Sequence, residues 1–172
     1  MGAALLIAMG VAAKAKAKEI LARLTRSGAA SRLGLSNQPD DDETKRRLVW
    51  LDGPRKKIEN ILREKYPSAH MTSAYRNSTV NEAVGGVKSS YHRHGLALDF
   101  GVDGLSDYQP VAKWLAENVT RVGHAVRTIY AETTPPHLHI EMYDPFKKID
   151  KGTGPLSLIA EPEGGGKPYR LV

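Results

Sequence analysis

Two histidine-rich segments constrain this chain more than any other part of its sequence. Residues 90–99 and 137–141 together hold four of the six histidines. In the second segment polar and apolar residues alternate, which is the pattern of a β-strand with one buried face. The polar side chains would then share the other face, while Leu138 and Ile140 would enter a core. The pattern therefore predicts a sheet that displays two imidazoles side by side.

A carboxylate lies within reach of these imidazoles. Asp99 falls in the apolar run 97–100, where a charge is costly unless it is paired or bound to a cation. The chain has no cysteine, so any metal must be held by His, Asp or Glu. A His-Asp-His set with one open position is the usual form of a catalytic zinc site. Spacing alone does not decide between His92 and His94, and this spacing is also similar to that of cupin-like iron barrels.

The segment between these motifs mixes short helical and extended patterns. Helices are predicted after Asp52-Gly53-Pro54, which breaks a shorter preceding helix, and again after N-terminal caps at Asn77 or Ser78 and at Asp107. Extended segments are predicted at residues 70–76, 97–102, 126–131 and 137–143. This part is therefore predicted to be α+β, with a small, mainly antiparallel sheet and flanking helices.

The first 50 residues predict a basic helical extension and a linker. Apolar spacing favours a helix that ends near Gly28, and residues 29–43 are typical of a linker. The apolar run at 2–13 is shorter than the ~20 residues that span a bilayer. Its lysines follow it rather than precede it, so no cleavable secretory signal is expected.

Charge is distributed unevenly along the chain. Residues 1–66 carry the whole excess of six positive charges. A basic face favours nucleic acid, anionic lipid or acidic wall polymer, although a solvated helix face fits equally well. The helix within residues 1–30 could pack on its own domain, join an assembly or lie on a membrane. The tail at 145–172 is rich in Gly, Pro and charge, and residues 161–166 are predicted to be a mobile or partner-bound arm.

Four spaced blocks follow one another along the middle of the chain. The blocks are Ser73-Ala74-Tyr75-Arg76, Val80-Asn81-x-x-Val84-Gly85-Gly86, Ser90-x-His92-x-x-Gly95-x-Ala97-x-Asp99 and His137-x-His139. In this order they resemble the zinc D-alanyl-D-alanine carboxypeptidase family, a family of murein metallopeptidases related to lysostaphin-type enzymes and to the hedgehog fold. The resemblance covers about residues 55–143. Together with the sequence patterns at either end, it predicts a basic helical extension and linker at 1–50, a zinc peptidase domain at 51–144 and a Gly/Pro-rich tail at 145–172.

The resemblance also implies roles for individual residues. Zn²⁺ would be held by His92, Asp99 and His139. Arg76 would bind the substrate and stabilise its carbonyl oxygen or the oxyanion. Ser90 matches a motif position that shapes the substrate pocket.

The proton-transfer residue departs from one branch of the family. That branch places a catalytic Glu three residues before the last ligand, and this chain has Pro136 there. His137 is therefore the better candidate base, with Glu132 or Glu141 in reserve.

The expected function is zinc-dependent hydrolysis of a peptide bond in the peptidoglycan stem or cross-link. Carboxypeptidase, D,D-endopeptidase and L-Ala-D-Glu endopeptidase activities share these motifs. A phage-encoded origin is expected, either as a lytic enzyme released from the cytoplasm or as a virion component that acts on the cell wall or periplasm. Expected partners are peptidoglycan, assembly partners of residues 1–30 and an anionic membrane surface, but no specific nucleic acid. The alternative is a non-catalytic zinc-fold module that binds the wall or builds a virion.

Overall fold

Helices dominate the first half of the chain and strands the second. The computed structural model describes residues 10–123 and 125–147, together with the backbone of strands within residues 157–160 and 169–170. The helices are α1 (Val11–Leu24), α2 (Gly28–Leu33), α3 (Asp42–Lys65), α4 (Ser78–Ala83) and α5 (Gln109–Glu117), with short 3₁₀ turns at Tyr91–His94 and Val119–Val122. The strands are β1 (His70–Ser73), β2 (Ala97–Gly101), β3 (Val126–Thr133), β4 (Pro136–Met142), β5 (Ser157–Ala160) and β6 (Tyr169–Arg170).

The described strands form one sheet in the order β1-β2-β4-β3-β5-β6. Four of its pairings are antiparallel, and only β3 and β5 run parallel. The predicted α+β class, with a mainly antiparallel sheet and flanking helices, is confirmed. The sequence did not predict β5 and β6, which come from the segment interpreted as a tail. Residues 161–166 lie outside the described residues.

The core lies between the helices and one face of the sheet. Leu98, Phe100, Leu138 and Ile140 are fully buried on that face, which confirms the alternation predicted for β4. The helices contribute Leu48, Leu51, Ile58, Leu62, Val111 and Leu115 to the same cluster. Each fully buried aliphatic side chain stabilises the fold by roughly 1.5–3 kcal/mol before entropy is counted. The opposite face of β2 and β4 is thereby left for polar side chains.

Helix α3 contradicts the predicted break at residues 52–54. It runs through Pro54 without interruption. Proline removes one backbone hydrogen bond, but Leu51 and Ile58 are fully buried on either side of it. Asp52 also accepts a hydrogen bond from Arg55 at 3.0 Å across the proline. Packing and ion pairs thus override the local preference of the sequence.

The N-terminal segment also differs from the prediction. Helix α1 ends at Leu24, and Gly28 begins α2 inside the predicted linker, with Ser27 as its cap. Leu24 is fully buried in the core that packs on the sheet, and its carbonyl accepts a hydrogen bond from the Tyr75 amide at 3.2 Å. The domain boundary at residue 50 stays a prediction. The start of the expected helix, at residues 1–9, lies outside the described part.

Local capping follows the sequence in one case and not in the other. Asn77 caps α4 by accepting a hydrogen bond from Val80 N at 2.9 Å, as predicted. The cap of α5 is Tyr108 rather than Asp107, although the Asp107 carboxylate accepts from Gln109 N at 2.9 Å. Within the described residues, no helix combines the length and apolar character needed to cross a membrane.

Candidate metal centre and active site

The register of the sheet brings Asp99 and His139 together. Asp99 on β2 lies directly opposite His139 on β4, so their side chains emerge side by side from the polar face. His139 Nδ1 lies 2.8 Å from Asp99 Oδ1. Two residues that are 40 positions apart in the sequence thus become neighbours through strand pairing.

His92 reaches the same point from the turn that precedes β2. The turn ends at Gly95, whose φ of 66° is the left-handed conformation that suits glycine. His92 is fully buried, and its Nδ1 lies 2.7 Å from the Ala74 carbonyl oxygen. Since a carbonyl only accepts, Nδ1 carries the proton, and Nε2 of the neutral ring is left with a free lone pair. That Nε2 lies 3.1 Å from Asp99 Oδ1 and 3.3 Å from His139 Nδ1.

The three converging atoms fit a zinc ion. Tetrahedral coordination with bonds of about 2.0–2.1 Å places ligand atoms about 3.3 Å apart. The separations between His92 Nε2, Asp99 Oδ1 and His139 Nδ1 are 2.8, 3.1 and 3.3 Å. Two imidazole nitrogens and one carboxylate oxygen suit zinc. His94, two residues after His92, is exposed and lies on a separate cavity, away from this cluster.

Arg76 and Ser90 lie in the cavity that opens over the cluster. The cavity has a volume of about 1120 Å³ and includes all three candidate ligands. Arg76 Nη2 lies 3.9 Å from Asp99 Oδ2, and its buried Nε has no hydrogen-bond partner among the described residues. Ser90 precedes the turn that carries His92. Both residues therefore line the same cavity as the three converging side chains.

His137 lies beside the cluster rather than in it. Its Nδ1 lies 2.7 Å from the Pro135 carbonyl oxygen, which fixes the proton on that nitrogen. Its Nε2 is then a free acceptor when the ring is neutral. This atom lies 3.6 Å from Asp99 Oδ1 and 3.4 Å from Glu132 Oε2. A proton acceptor therefore faces the cavity next to the candidate metal ligands.

One known peptidase family matches most of this chain. The model for Peptidase M15 matches residues 24–131, well over half of the chain. The chain belongs to this peptidase family. The matched range includes Arg76, His92 and Asp99 and ends before His137 and His139. No curated protein and no solved structure matches the chain.

The electrostatics of the M15 peptidase centre on Asp99. Burial alone would raise the pKa of this carboxyl, but its contacts with the imidazoles of His92, His137 and His139 hold it well below its usual range. Burial lowers the pKa of His139, but its contacts with Asp99 and Glu141 outweigh this and raise the pKa to about 9. The pKa of His137 is also raised, because its contacts with Asp99 outweigh burial. Asp99 is therefore a buried carboxylate whose surroundings favour its ionised form.

A second group of donors overlaps with the first. Glu132, His137 and His139 also offer ligand atoms within 4.8 Å of one another. Glu132 and His137 are cross-strand partners on β3 and β4. His92, Asp99 and His139 form the more buried set. The more buried candidate metal position of the M15 peptidase is thus the one at Asp99, with Glu132 and His137 directly beside it.

Sequence reasoning missed two parts of this cavity. Helix α2, interpreted as linker, forms one wall through Gly28, Ala29 and Arg32, together with its cap Ser27. Arg127 and Tyr91 form another part of the wall, where Arg127 Nη1 donates to the Tyr91 hydroxyl and its guanidinium lies 4.8 Å from the Tyr91 ring centroid. The contact between Arg127 and Tyr91 has no local pattern in the sequence. For α2 the available signal was Ser27, a residue typical of a helix N-cap, which predicts where a helix begins but not that it lines a cavity.

Proposed function

We propose that this M15 peptidase is a zinc enzyme that hydrolyses a peptide bond in the stem or cross-link of peptidoglycan. Membership of the family supports peptidase activity. The observation that carries the zinc assignment is the convergence of His92 Nε2, Asp99 Oδ1 and His139 Nδ1 within 3.3 Å. A large cavity beside these atoms gives an extended peptide access to them.

The chemistry divides between the metal and the side chains around it. When bound, zinc supplies Lewis acidity, which makes a water nucleophilic near neutral pH and polarises the scissile carbonyl. His92, Asp99 and His139 hold the ion. His137 Nε2 accepts a proton from the attacking water and delivers it to the leaving amine. The Pro135 carbonyl keeps Nδ1 protonated, so the free lone pair stays directed at the cavity.

Arg76 supports the same reaction from the other side of Asp99. Its guanidinium is only partly neutralised, because its one carboxylate contact among the described residues is the 3.9 Å approach to Asp99 Oδ2. A preorganised positive charge at this place stabilises negative charge that develops on the substrate carbonyl oxygen. Ser90 lines the pocket next to the turn of His92.

The proposal is tested with purified murein. Release of soluble peptides should stop after chelation and return with added zinc, and mass spectrometry of the digest should identify the cleaved bond. The His137→Ala variant should keep its zinc and lose turnover. A protein that binds zinc but leaves murein intact would instead favour the non-catalytic wall-binding module. Full activity in the presence of chelator would overturn the zinc assignment.

We also propose a phage-derived setting, in which the enzyme reaches the bacterial wall as a lytic enzyme or as part of a virion. The exposed lysines of α1, Lys14, Lys16 and Lys18, support a contact with an assembly partner or an anionic surface. Replacing all three with glutamine tests this proposal. Because these side chains are exposed, the fold and the peptidase activity on soluble fragments should persist. Loss of virion incorporation, or of binding to whole walls or anionic vesicles, would identify what these lysines contact. Unchanged behaviour in all three assays would overturn the proposed contact.

A further inference from the structure

The two candidate histidine ligands differ in what holds their second ring nitrogen. In His92 this nitrogen is Nδ1, which donates to the Ala74 carbonyl at 2.7 Å. In His139 the metal-facing atom is Nδ1, since it is this atom that lies near Asp99 and His92. A neutral His139 must then carry its proton on Nε2. That N–H is in a side chain only 12% exposed, so it requires an acceptor within the protein.

Glu141 is the acceptor that the strand provides. It lies two residues after His139 on β4, and the alternation of the strand places both on the polar face. Glu141 Oε1 lies 3.9 Å from His139 Nε2. This is about 1 Å longer than a hydrogen bond, a gap that a small ring rotation or one bridging water closes. The Glu141 side chain is itself only 13% exposed, so its carboxylate is largely shielded from solvent.

Arg127 and Tyr91 together hold this carboxylate in place. Arg127 Nη1 lies 3.0 Å from Glu141 Oε2, which leaves Oε1 to face His139. The Tyr91 hydroxyl accepts a second hydrogen bond from the same guanidinium. The register of β3 against β4 shifts between Val126 and Thr128, so Arg127 is the extra residue of a bulge. Bulges re-aim side chains, and here the re-aimed side chain reaches Glu141.

We infer that Glu141 is a positioning residue for the metal site. Glu141 fixes the tautomer and orientation of His139 and is itself held by Arg127 and Tyr91. The inference rests on zinc binding at His92, Asp99 and His139 as proposed above. A carboxylate that accepts from a ligating imidazole fixes the ring and makes it a stronger ligand. This role sets Glu141 apart from the candidates for proton transfer, because Arg127 holds one of its oxygens and the other faces His139.

The test measures zinc affinity by competition with a chelator of known strength. Glu141→Ala should weaken zinc binding by about 10–100-fold, as losses of such carboxylates do. Arg127→Gln should weaken it less, and Tyr91→Phe least of all. At saturating zinc, Glu141→Ala should recover most of the wild-type kcat. Recovery by zinc separates positioning from a direct part in proton transfer, for which added metal would restore nothing.

A matched control is available elsewhere in the fold. Glu64 and Arg121 form a similar carboxylate–guanidinium pair, with Arg121 Nη1 2.7 Å from Glu64 Oε2, outside both cavities. Glu64→Ala should leave zinc affinity unchanged. The melting temperature of the metal-free protein should be similar in Glu141→Ala and the wild type, because Arg127 is 42% exposed and stays hydrated without its partner.

The outcomes separate this inference from the proposed function. Wild-type zinc affinity in Glu141→Ala would overturn the inference while leaving the zinc peptidase intact. Equal losses in Glu141→Ala and Glu64→Ala would also overturn it, since the effect would then be one of general charge. If the wild-type protein itself bound no zinc, the proposed function would fall first.

Discussion

Asp52 and Asp99 are both buried carboxylates, yet the groups around them differ in kind. Asp52 lies in α3 among cations of fixed charge: Lys56 at 2.7 Å, Arg55 at 3.0 Å and Arg23 at 3.3 Å. Asp99 lies among groups whose charge depends on protonation: His139 at 2.8 Å, His92 at 3.1 Å and His137 at 3.6 Å. The guanidinium near Asp99, that of Arg76, stays 3.9 Å away.

The difference distinguishes a structural ion cluster at Asp52 from the proposed cation site at Asp99. Asp52 is neutralised by the protein itself, so nothing needs to be added there. The histidines around Asp99 neutralise it only if they carry protons, and a metal ion can take the place of those protons. The pKa of each carboxyl is lowered, because partners outweigh burial in both. What distinguishes the functional carboxylate is therefore the type of partner rather than burial or pKa direction.

The largest effect is expected from removing the Asp99 carboxylate. Asp99→Ala should abolish zinc binding and lower activity on murein by more than about 1,000-fold, because water that is not bound to the metal keeps a pKa far above neutral. Metal analysis and peptide release measure the two results. Retention of stoichiometric zinc in this variant would show that the ion binds elsewhere, for which the Glu132 group is the nearest alternative.

The corresponding change at Asp52 should affect stability instead. Asp52→Asn removes the charge that Arg55 shares with Arg23, while Arg55 keeps its ion pair with Glu59, so the free energy of unfolding should fall by about 1.5–3 kcal/mol. Zinc content and kcat below the melting transition should not change. In the wild type this contribution is present above the ordinary carboxyl pKa of 3.8 and is lost as the pH falls through the lowered value. Denaturant titrations at neutral pH and at a pH below that ordinary value measure the lost stability and its pH dependence. A loss of zinc in Asp52→Asn would contradict a purely structural role for Asp52.

The guanidinium near Asp99 should matter for turnover. Arg76→Gln should lower kcat by about 100–1,000-fold, which is the usual cost of losing one oxyanion-stabilising donor. Zinc affinity should stay close to that of the wild type, since no Arg76 nitrogen is a ligand. Steady-state kinetics at saturating zinc give the result. A change in KM alone would assign Arg76 to substrate binding rather than to the transition state.

Removal of zinc should lower the stability of every variant that keeps Asp99. At zinc concentrations about 100-fold above Kd, the ion should stabilise the wild type by about 2.7 kcal/mol. Calorimetry with and without chelator should show this shift in wild type and in Asp52→Asn. Asp99→Ala should show none, and a zinc-dependent shift in that variant would contradict the assignment of the site.

The smallest effect is expected at the rim of the structural cluster. Lys56 reaches Asp52 at 2.7 Å, but its side chain is half exposed. Exposed ion pairs contribute between 0 and about 1 kcal/mol, so Lys56→Gln should change the unfolding free energy by less than about 1 kcal/mol. A denaturant titration beside Asp52→Asn measures it. A loss as large as that of Asp52→Asn would place the energy of the cluster in the exposed lysine.

Much of the fold followed from local pattern. Alternation of apolar and polar residues predicted β4, and Leu138 and Ile140 are fully buried as expected. The break predicted at Pro54 was wrong, because a proline's local cost is smaller than the burial of Leu51 and Ile58 beside it. Strands β5 and β6 were not predicted, since strands of four and two residues carry little pattern of their own.

The sequence by itself determined which residue types were available and which faces they would take. Without cysteine, a metal had to use imidazole and carboxylate, and the period of two on β4 placed His137, His139 and Glu141 together. Only the tertiary structure decided which nitrogen of each ring faces the candidate metal position, because that depends on the Ala74 carbonyl for His92 and on Asp99 for His139. It also placed α2 and Arg127 around the cavity. Contacts between residues distant in the chain have no local periodicity, so packing and register alone could reveal them.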